Sequence, residues 1–237
     1  FVVIVFVMLS MLLALWASRT SLFNEMVVGN DADYQRAFEA AQALLQDAEL
    51  DIRGEMADGN LCSAPPCRAY SSALQFPGDT NEINPLITVL ESKATRCQDG
   101  LCARRVGRQD FWNKKDTTDL QAGEFDLSAM TKTNVGARYG QFSGAAVGSS
   151  SSQANPILAD TSADDRGGWY WIEIMHYDES SKNSGLIIGA TGNPTNNLLN
   201  LNLKPNVVYR ITALAYGRKS STMAVLQQTY VRQVRKD

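Results

Sequence analysis

Phe1-Val-Val-Ile-Val-Phe-Val-Met-Leu-Ser-Met-Leu-Leu-Ala-Leu-Trp-Ala-Ser18 is the stretch whose reading decides the fold. It carries no charged side chain. Arg19 is the first, so all 22 basic and 25 acidic residues of the 237-residue chain lie beyond Ser18. As a helix at ~1.5 Å per residue the stretch measures about 27 Å, close to the roughly 30 Å hydrocarbon core of a bilayer. A secretory signal peptide would need a basic n-region, a shorter apolar core and a small-residue cleavage site. The basic n-region is missing, and the opening on Phe1 reads as a chain whose leader has been removed. The alternative is a chain that begins inside a membrane anchor.

The helical period continues past Arg19. Leu22, Phe23, Met26 and Val27, then Tyr34, Phe38, Ala41, Leu45, Ala48 and Ile52, recur mostly at steps of three and four, which is one face of an α-helix. Gln35, Glu39, Gln42, Gln46, Glu49 and Arg53 take the other face. No proline falls before Gly54; Gly29-Asn30 is the weakest point, and Gly54 with Gly59-Asn60 ends the pattern. The expectation is one helix over residues 1–55. Residues 1–28 form a membrane or filament-core half, and residues 29–55 pack on a head. Phe6, Leu9, Leu13, Phe23, Tyr34, Phe38 and Leu45 are the expected helix-packing residues.

Residues 56–167 read as an irregular αβ-loop region. Asn84-Pro85 before Leu86, Ile87, Val89 and Leu90 predicts a short helix capped by Asn84 with Pro85 at its first position. Ser71-Ser72 and residues 148–152 read as loops, and Phe111, Trp112, Tyr139 and Phe142 as residues that pin the segment down. Residues 168–237 change character. Aromatic and β-branched enrichment predicts strands over 169–177, 207–216 and 222–234, with a hairpin at Gly217-Arg218-Lys219-Ser220. Residues 185–205, with a brief Leu186-Ile187-Ile188 run, read as a long connection. The predicted class is α+β, a long N-terminal helix packed on a C-terminal antiparallel β-sheet.

Cys62 and Cys67 are five positions apart, as are Cys97 and Cys102. Two local disulfides in an oxidising compartment are the preferred reading, and a four-thiolate zinc site is the rival. A net charge of −3 gives no electrostatic support for nucleic-acid binding; Lys114-Lys115 and Arg232, Arg235, Lys236 are too sparse for a basic patch. No phosphate loop, dinucleotide fingerprint or H-E-x-x-H occurs, and the single histidine, His176, reads as a strand residue. Asp160, Asp164 and Asp165 form an acidic loop without the alternation of a calcium hand, read as a solvated turn. The chain is therefore expected to be no enzyme and to hold no cofactor or metal.

Several segments together resemble a type IV pilin. These are the uncharged run with its amphipathic continuation, then Glu25-Met-Val-Val-Gly-Asn30, Gln35-Arg-Ala-Phe-Glu-Ala-Ala-Gln42 and Asp47-Ala-Glu49. At the other end Val208-Tyr-Arg-Ile-Thr-Ala213, Gly217-Arg218 and Ala224-Val-Leu-Gln-Gln-Thr-Tyr230 are similar to the closing hairpin of the PilX/PilK group of minor pilins. The resemblance covers residues 1–55 and 168–232. It implies the type IV pilin fold, with cleavage before Phe1 and methylation of its amine. It implies an inner-membrane anchor with a periplasmic head before assembly and an extracellular pilus tip after it. It also implies packing against other minor pilins through the helix, support of a PilY-type tip adhesin, and a part in twitching motility. Most pilins carry Glu at the fifth position, where this chain has Val5. A carboxylate in an apolar bundle is costly unless paired, and Val5 offers no such partner to a neighbour's N-terminal amine. The absence, shared with the PilX/PilK group and with GspK-type pseudopilins, suits a position with no subunit above. Leu22 stands where many pilins have a helix-bending proline.

Two rivals remain. One is a GspK-type pseudopilin of type II secretion, which would carry a larger inserted helical domain. The other is a membrane-anchored surface-binding module using a solvent-facing cluster of Trp169, Trp171 and Tyr177.

Overall fold

The computed structural model describes residues 1–105, 110–114, 120–121, 123–148, 154–176 and 207–232. The expected connection at 185–205 and residues Tyr177, Lys115, Arg235 and Lys236 lie outside the described residues.

The apolar period produces one unbroken helix, α1, Val2–Arg53. At ~1.5 Å per residue it is about 78 Å long. Gly29 does not interrupt it. It stops where Gly54 takes the left-handed conformation at φ 67°. There the Gly54 N–H reaches Asp51 O at 3.1 Å and the Glu55 N–H reaches Leu50 O at 3.0 Å. This is the paired closure that satisfies the last carbonyls of a helix, and it needs the positive φ that glycine adopts without a Cβ penalty.

Two short helices follow: α2, Arg68–Ser71, and α3, Thr80–Glu91. Ser71, expected in a loop, closes the single turn of α2. Asn84 is not the cap of α3; the helix begins a turn earlier, where the Asp79 carboxylate accepts from the Asn81 N–H at 3.4 Å. Pro85 therefore sits inside α3. The apolar cluster 86–90 marked the helix correctly, but its start was fixed by an Asp side chain free to bond the first turn.

The sheet has five strands in the order β1 (Cys97–Gln98), β2 (Leu101–Ala103), β3 (Gly168–His176), β4 (Val207–Tyr216) and β5 (Met223–Tyr230). The expectation of a purely antiparallel sheet confined to 168–237 is corrected in two respects. The sheet starts at Cys97, inside the segment read as irregular, and β2 runs parallel to β3, with Leu101 opposite Ile172. The other pairs are antiparallel, and β4–β5 runs without a break from Tyr209↔Tyr230 to Tyr216↔Met223. The parallel pair needs a long crossover, which residues 104–167 supply. A four-residue helix, α4, Leu127–Met130, lies within that crossover.

Side chains alternate across β3. Tyr170, Ile172 and Ile174 join Tyr209, Ile211, Ala213 and Ala224 beneath the small-residue face of α1, formed by Ala37, Ala40, Ala41, Leu44, Ala48 and Ile52. The Ala-rich face lets helix and sheet approach closely. On the opposite face Trp169 and Trp171 pack with Phe111, Met130, Leu214 and the Cys97–Cys102 disulfide. The Phe111 and Trp171 rings meet edge to face at 4.8 Å. Trp169 is 2% exposed and Trp171 fully buried. The solvent-facing Trp cluster of the surface-binding alternative is thus corrected: the crossover covers that face. The two indole N–H groups donate to Asp164 O at 2.9 Å and Met130 O at 3.2 Å.

Candidate assembly surface

Every residue from Phe1 to Val28 is exposed on the isolated chain. The helix is long and apolar enough to cross a membrane by length and composition. Phe6, Leu9, Leu13 and Phe23 are each more than half exposed, so nothing among the described residues packs on them. Single exposed apolar residues are ordinary, but a contiguous apolar surface such as residues 1–18 present marks a membrane or protein contact. Val5 is 41% exposed on that surface, and its N–H bonds Phe1 O at 3.2 Å as part of the first helical turn. Of the remaining expected packing residues, Leu45 is buried in the head and Phe38 is half-buried against the same core. Tyr34 is 46% exposed and does not join it. Tyr34 lies on the same helix face as the buried stripe of Ala37, Ala41, Leu44 and Ala48, one turn before its first residue.

Three carboxylates that periodicity alone did not mark fix the helix to the head: Asp33, Asp47 and Asp51, each 3% exposed or less. Asp33 accepts from the backbone N–H groups of Arg218 and Lys219, both at 3.0 Å, and so caps the β4–β5 turn. Lys219 Nζ donates to Asn30 Oδ1 at 2.7 Å. Burial acts to raise the Asp33 carboxyl, but the backbone amides of Lys219 and Arg218, the Thr222 hydroxyl and the Lys219 charge outweigh it and hold it below the usual range. Gly217 makes this fit possible, because a Cβ there would lie 2.4 Å from Asp33 Oδ2 and 2.6 Å from Thr222 side-chain carbons.

Asp47 accepts from the Gly140 N–H at 2.8 Å and from the Ser143 hydroxyl. Burial pushes its carboxyl up to about 6; the two hydrogen bonds oppose the shift and the Asp51 charge adds to it. Asp51 meets the Arg68 guanidinium, whose Nε lies 2.9 Å from Oδ1 and Nη2 2.6 Å from Oδ2, and it accepts from Tyr170 Oη at 3.2 Å. Arg68 Nη2 also donates to Asp99 O at 2.8 Å, and the guanidinium lies over the Phe142 ring at 3.8 Å. A second buried group sits on the far face of the sheet, where Glu173 Oε2 receives Arg105 Nη2 at 2.8 Å and Arg210 Nε at 2.6 Å. The Asp33, Asp47 and Asp51 sets fix the pose of the head on the helix, and the Glu173 set ties β3 and β4 to the chain leaving β2. The available sequence signal was an acid recurring within an otherwise apolar helical face, as with Asp47 and Asp51 four residues apart.

The cysteines pair as Cys62–Cys67 and Cys97–Cys102. With all four sulfurs so engaged, the zinc alternative has no thiolate set. The first bridge lies just beyond the end of α1; the second spans the β1–β2 pair, Cys97 opposite Cys102. In the acidic loop Asp160 accepts from Ser162 and lies 3.6 Å from Arg166, while Arg138 donates to Ala163 O and Arg166 O. His176 meets Asn84 Oδ1 at 2.9 Å, and Lys114 pairs with Glu124.

A family model described as the C-terminal part of type IV pilus assembly protein PilX matches residues 98–232. That span takes in the crossover, β2 and the three long strands. No curated protein and no solved structure matches the chain.

Proposed function

The chain belongs to the PilX family of type IV pilus assembly proteins, and on that premise we propose that it is a minor pilin at or near the filament tip. Before assembly the apolar start of α1, uncharged as far as Ser18, is its inner-membrane anchor, with the head in the periplasm. After assembly the same surface packs against the helices of other minor pilins. The observation that carries the tip position is Val5 on this exposed, uncharged stretch. A buried carboxylate in an apolar bundle is costly without a partner. A subunit that lacks it has nothing to pair with the terminal amine of a subunit above, and suits the place where none stands. The role is structural: the helix primes assembly by nucleating the bundle, and the head supports a PilY-type adhesin. Two disulfides support a periplasmic head. Among the described residues the longest helix between 56 and 167 is the twelve-residue α3, which favours a pilus subunit over the pseudopilin alternative with its inserted helical domain.

Cysteines placed at Leu9 and at facing positions of other minor pilins test the proposal in intact cells. The expected result is cross-linking to minor pilins below and none to a subunit above Phe1. Val5→Glu is expected to lower pilus number several-fold. Normal piliation after deletion of the gene, together with absent cross-links, sinks the proposal.

A further inference from the structure

The two edges of the sheet are unlike. One is β1, two residues long and tied by a disulfide to its neighbour. The other is β5, eight residues, Met-Ala-Val-Leu-Gln-Gln-Thr-Tyr, paired with β4 without a bulge over its whole length. Free edges are normally blunted by lysine, proline, a bulge or shortness, because their unpaired N–H and C=O groups accept any extended chain. β5 has none of these guards. Antiparallel pairing alternates hydrogen-bonded and open positions. The Gly217 N–H bonds Thr222 O at 2.8 Å, and counting from that pair turns the backbone groups of Met223, Val225, Gln227 and Thr229 outward. Gln227 and Thr229 are exposed, and no described residue pairs with this side of β5.

We propose that β5 is a strand-addition site, completed in the assembled tip complex by an extended segment of a laterally packed pilin-type subunit. The inference rests on the minor-pilin reading and deepens it. The flank position decides the occupant. β5 lies along the head portion of α1, from the turn held by Asp33 to Gln228, whose amide donates to Glu49 at 2.7 Å. A subunit whose helix packs beside α1 meets this edge, whereas a protein seated on the distal pole does not. The incoming segment is uncharged. It places apolar side chains beside Val225 and Leu226, which border the two cores, and hydrogen-bonding ones beside Gln227 and Gln228. Main-chain bonds supply affinity and the alternate side chains specificity.

The test is photo-cross-linking of the full-length protein in pilus-assembling cells, with the photoreactive side chain at Gln227 or at Thr229 and mapping of the joined peptides. Adducts from the two positions are expected two residues apart on one segment of another pilin-type subunit. Thr229→Pro removes an outward N–H and no β4–β5 bond; it should cut the Gln227 adduct at least tenfold, whereas Thr229→Val preserves it. Thr229→Lys, which adds a guard charge without proline strain, should cut it as well, with an unchanged melting temperature showing that the head is intact. Adducts with a second copy of this chain or with a non-pilin adhesin, adducts scattered over several segments, or none, overturn the inference. Cross-links at Leu9 without edge adducts overturn it and leave the tip reading standing; loss of both overturns both.

Discussion

Replacing Asp47 by asparagine should remove a pH dependence from the stability of the head. Asp47 is 2% exposed, inside the helix–sheet core. Burial raises its carboxyl from 3.8 to about 6 in the folded protein. At ~1.4 kcal/mol per tenfold change, that displacement corresponds to about 3 kcal/mol. The sign follows from which state holds the proton. Between roughly pH 4 and pH 6 the folded chain keeps it and the unfolded chain has released it. The contribution is therefore fully present below about pH 4 and lost as pH rises through about 6. The substituted asparagine is neutral throughout: its carbonyl oxygen can accept from the Gly140 N–H while its amide donates to the Ser143 hydroxyl oxygen, so whatever the replacement costs does not depend on pH. Residues 1–28 are exposed along their whole length, so a head of residues 29–237 retains the core under test. Urea unfolding of this head and its Asp47→Asn variant from pH 4 to pH 8 gives two stability curves, and the other carboxylates cancel in their difference. Wild-type stability minus variant stability should fall by about 3 kcal/mol between pH 4 and pH 7. Parallel curves, or a wild-type advantage that grows with pH, would refute the placement of Asp47 as a buried carboxylate held mainly by two neutral donors.

Asp33 works in the opposite sense. Its carboxyl is held below the ordinary 3.8, so its contribution is present above about pH 4 and lost on further acidification; an Asp33→Asn head should lack that last acid-induced loss in a melting series. Gly217→Ala drives a Cβ into the Asp33 carboxylate and should cost about 1–3 kcal/mol. In a double-mutant cycle the loss should overlap that of Asp33→Asn, both acting on one clip. Arg68→Ala leaves the buried Asp51 charge with the Tyr170 hydroxyl as its remaining side-chain partner among the described residues and should cost about 3–5 kcal/mol, read as a lower urea midpoint.

The amino-acid order by itself determined the long helix, the three long strands, the hairpin at Gly217 and the exposed uncharged end. Each of these is a local repeat: a period near 3.6 along α1, aromatic and β-branched runs in β3 to β5, and glycine where the chain turns. Val5 also needed no structure, because a missing charge within an uncharged run is visible in the letters. Tertiary structure decided what depends on residues far apart. β1 and β2 are two and three residues long, too short to carry a pattern, and exist because β3 offers β2 a parallel edge and a disulfide closes the pair. Trp169 and Trp171 read in the sequence as sheet packing rather than a surface platform, but what they pack against came only from the 104–167 crossover, folded back through Phe111 and Met130. Asp33, Asp47 and Asp51 are unremarked acids on a helix until Lys219, Gly140, Ser143 and Arg68 arrive from elsewhere in the chain. Burial of a charge is a property of its surroundings, and only the assembled fold supplies the donors that make it tolerable.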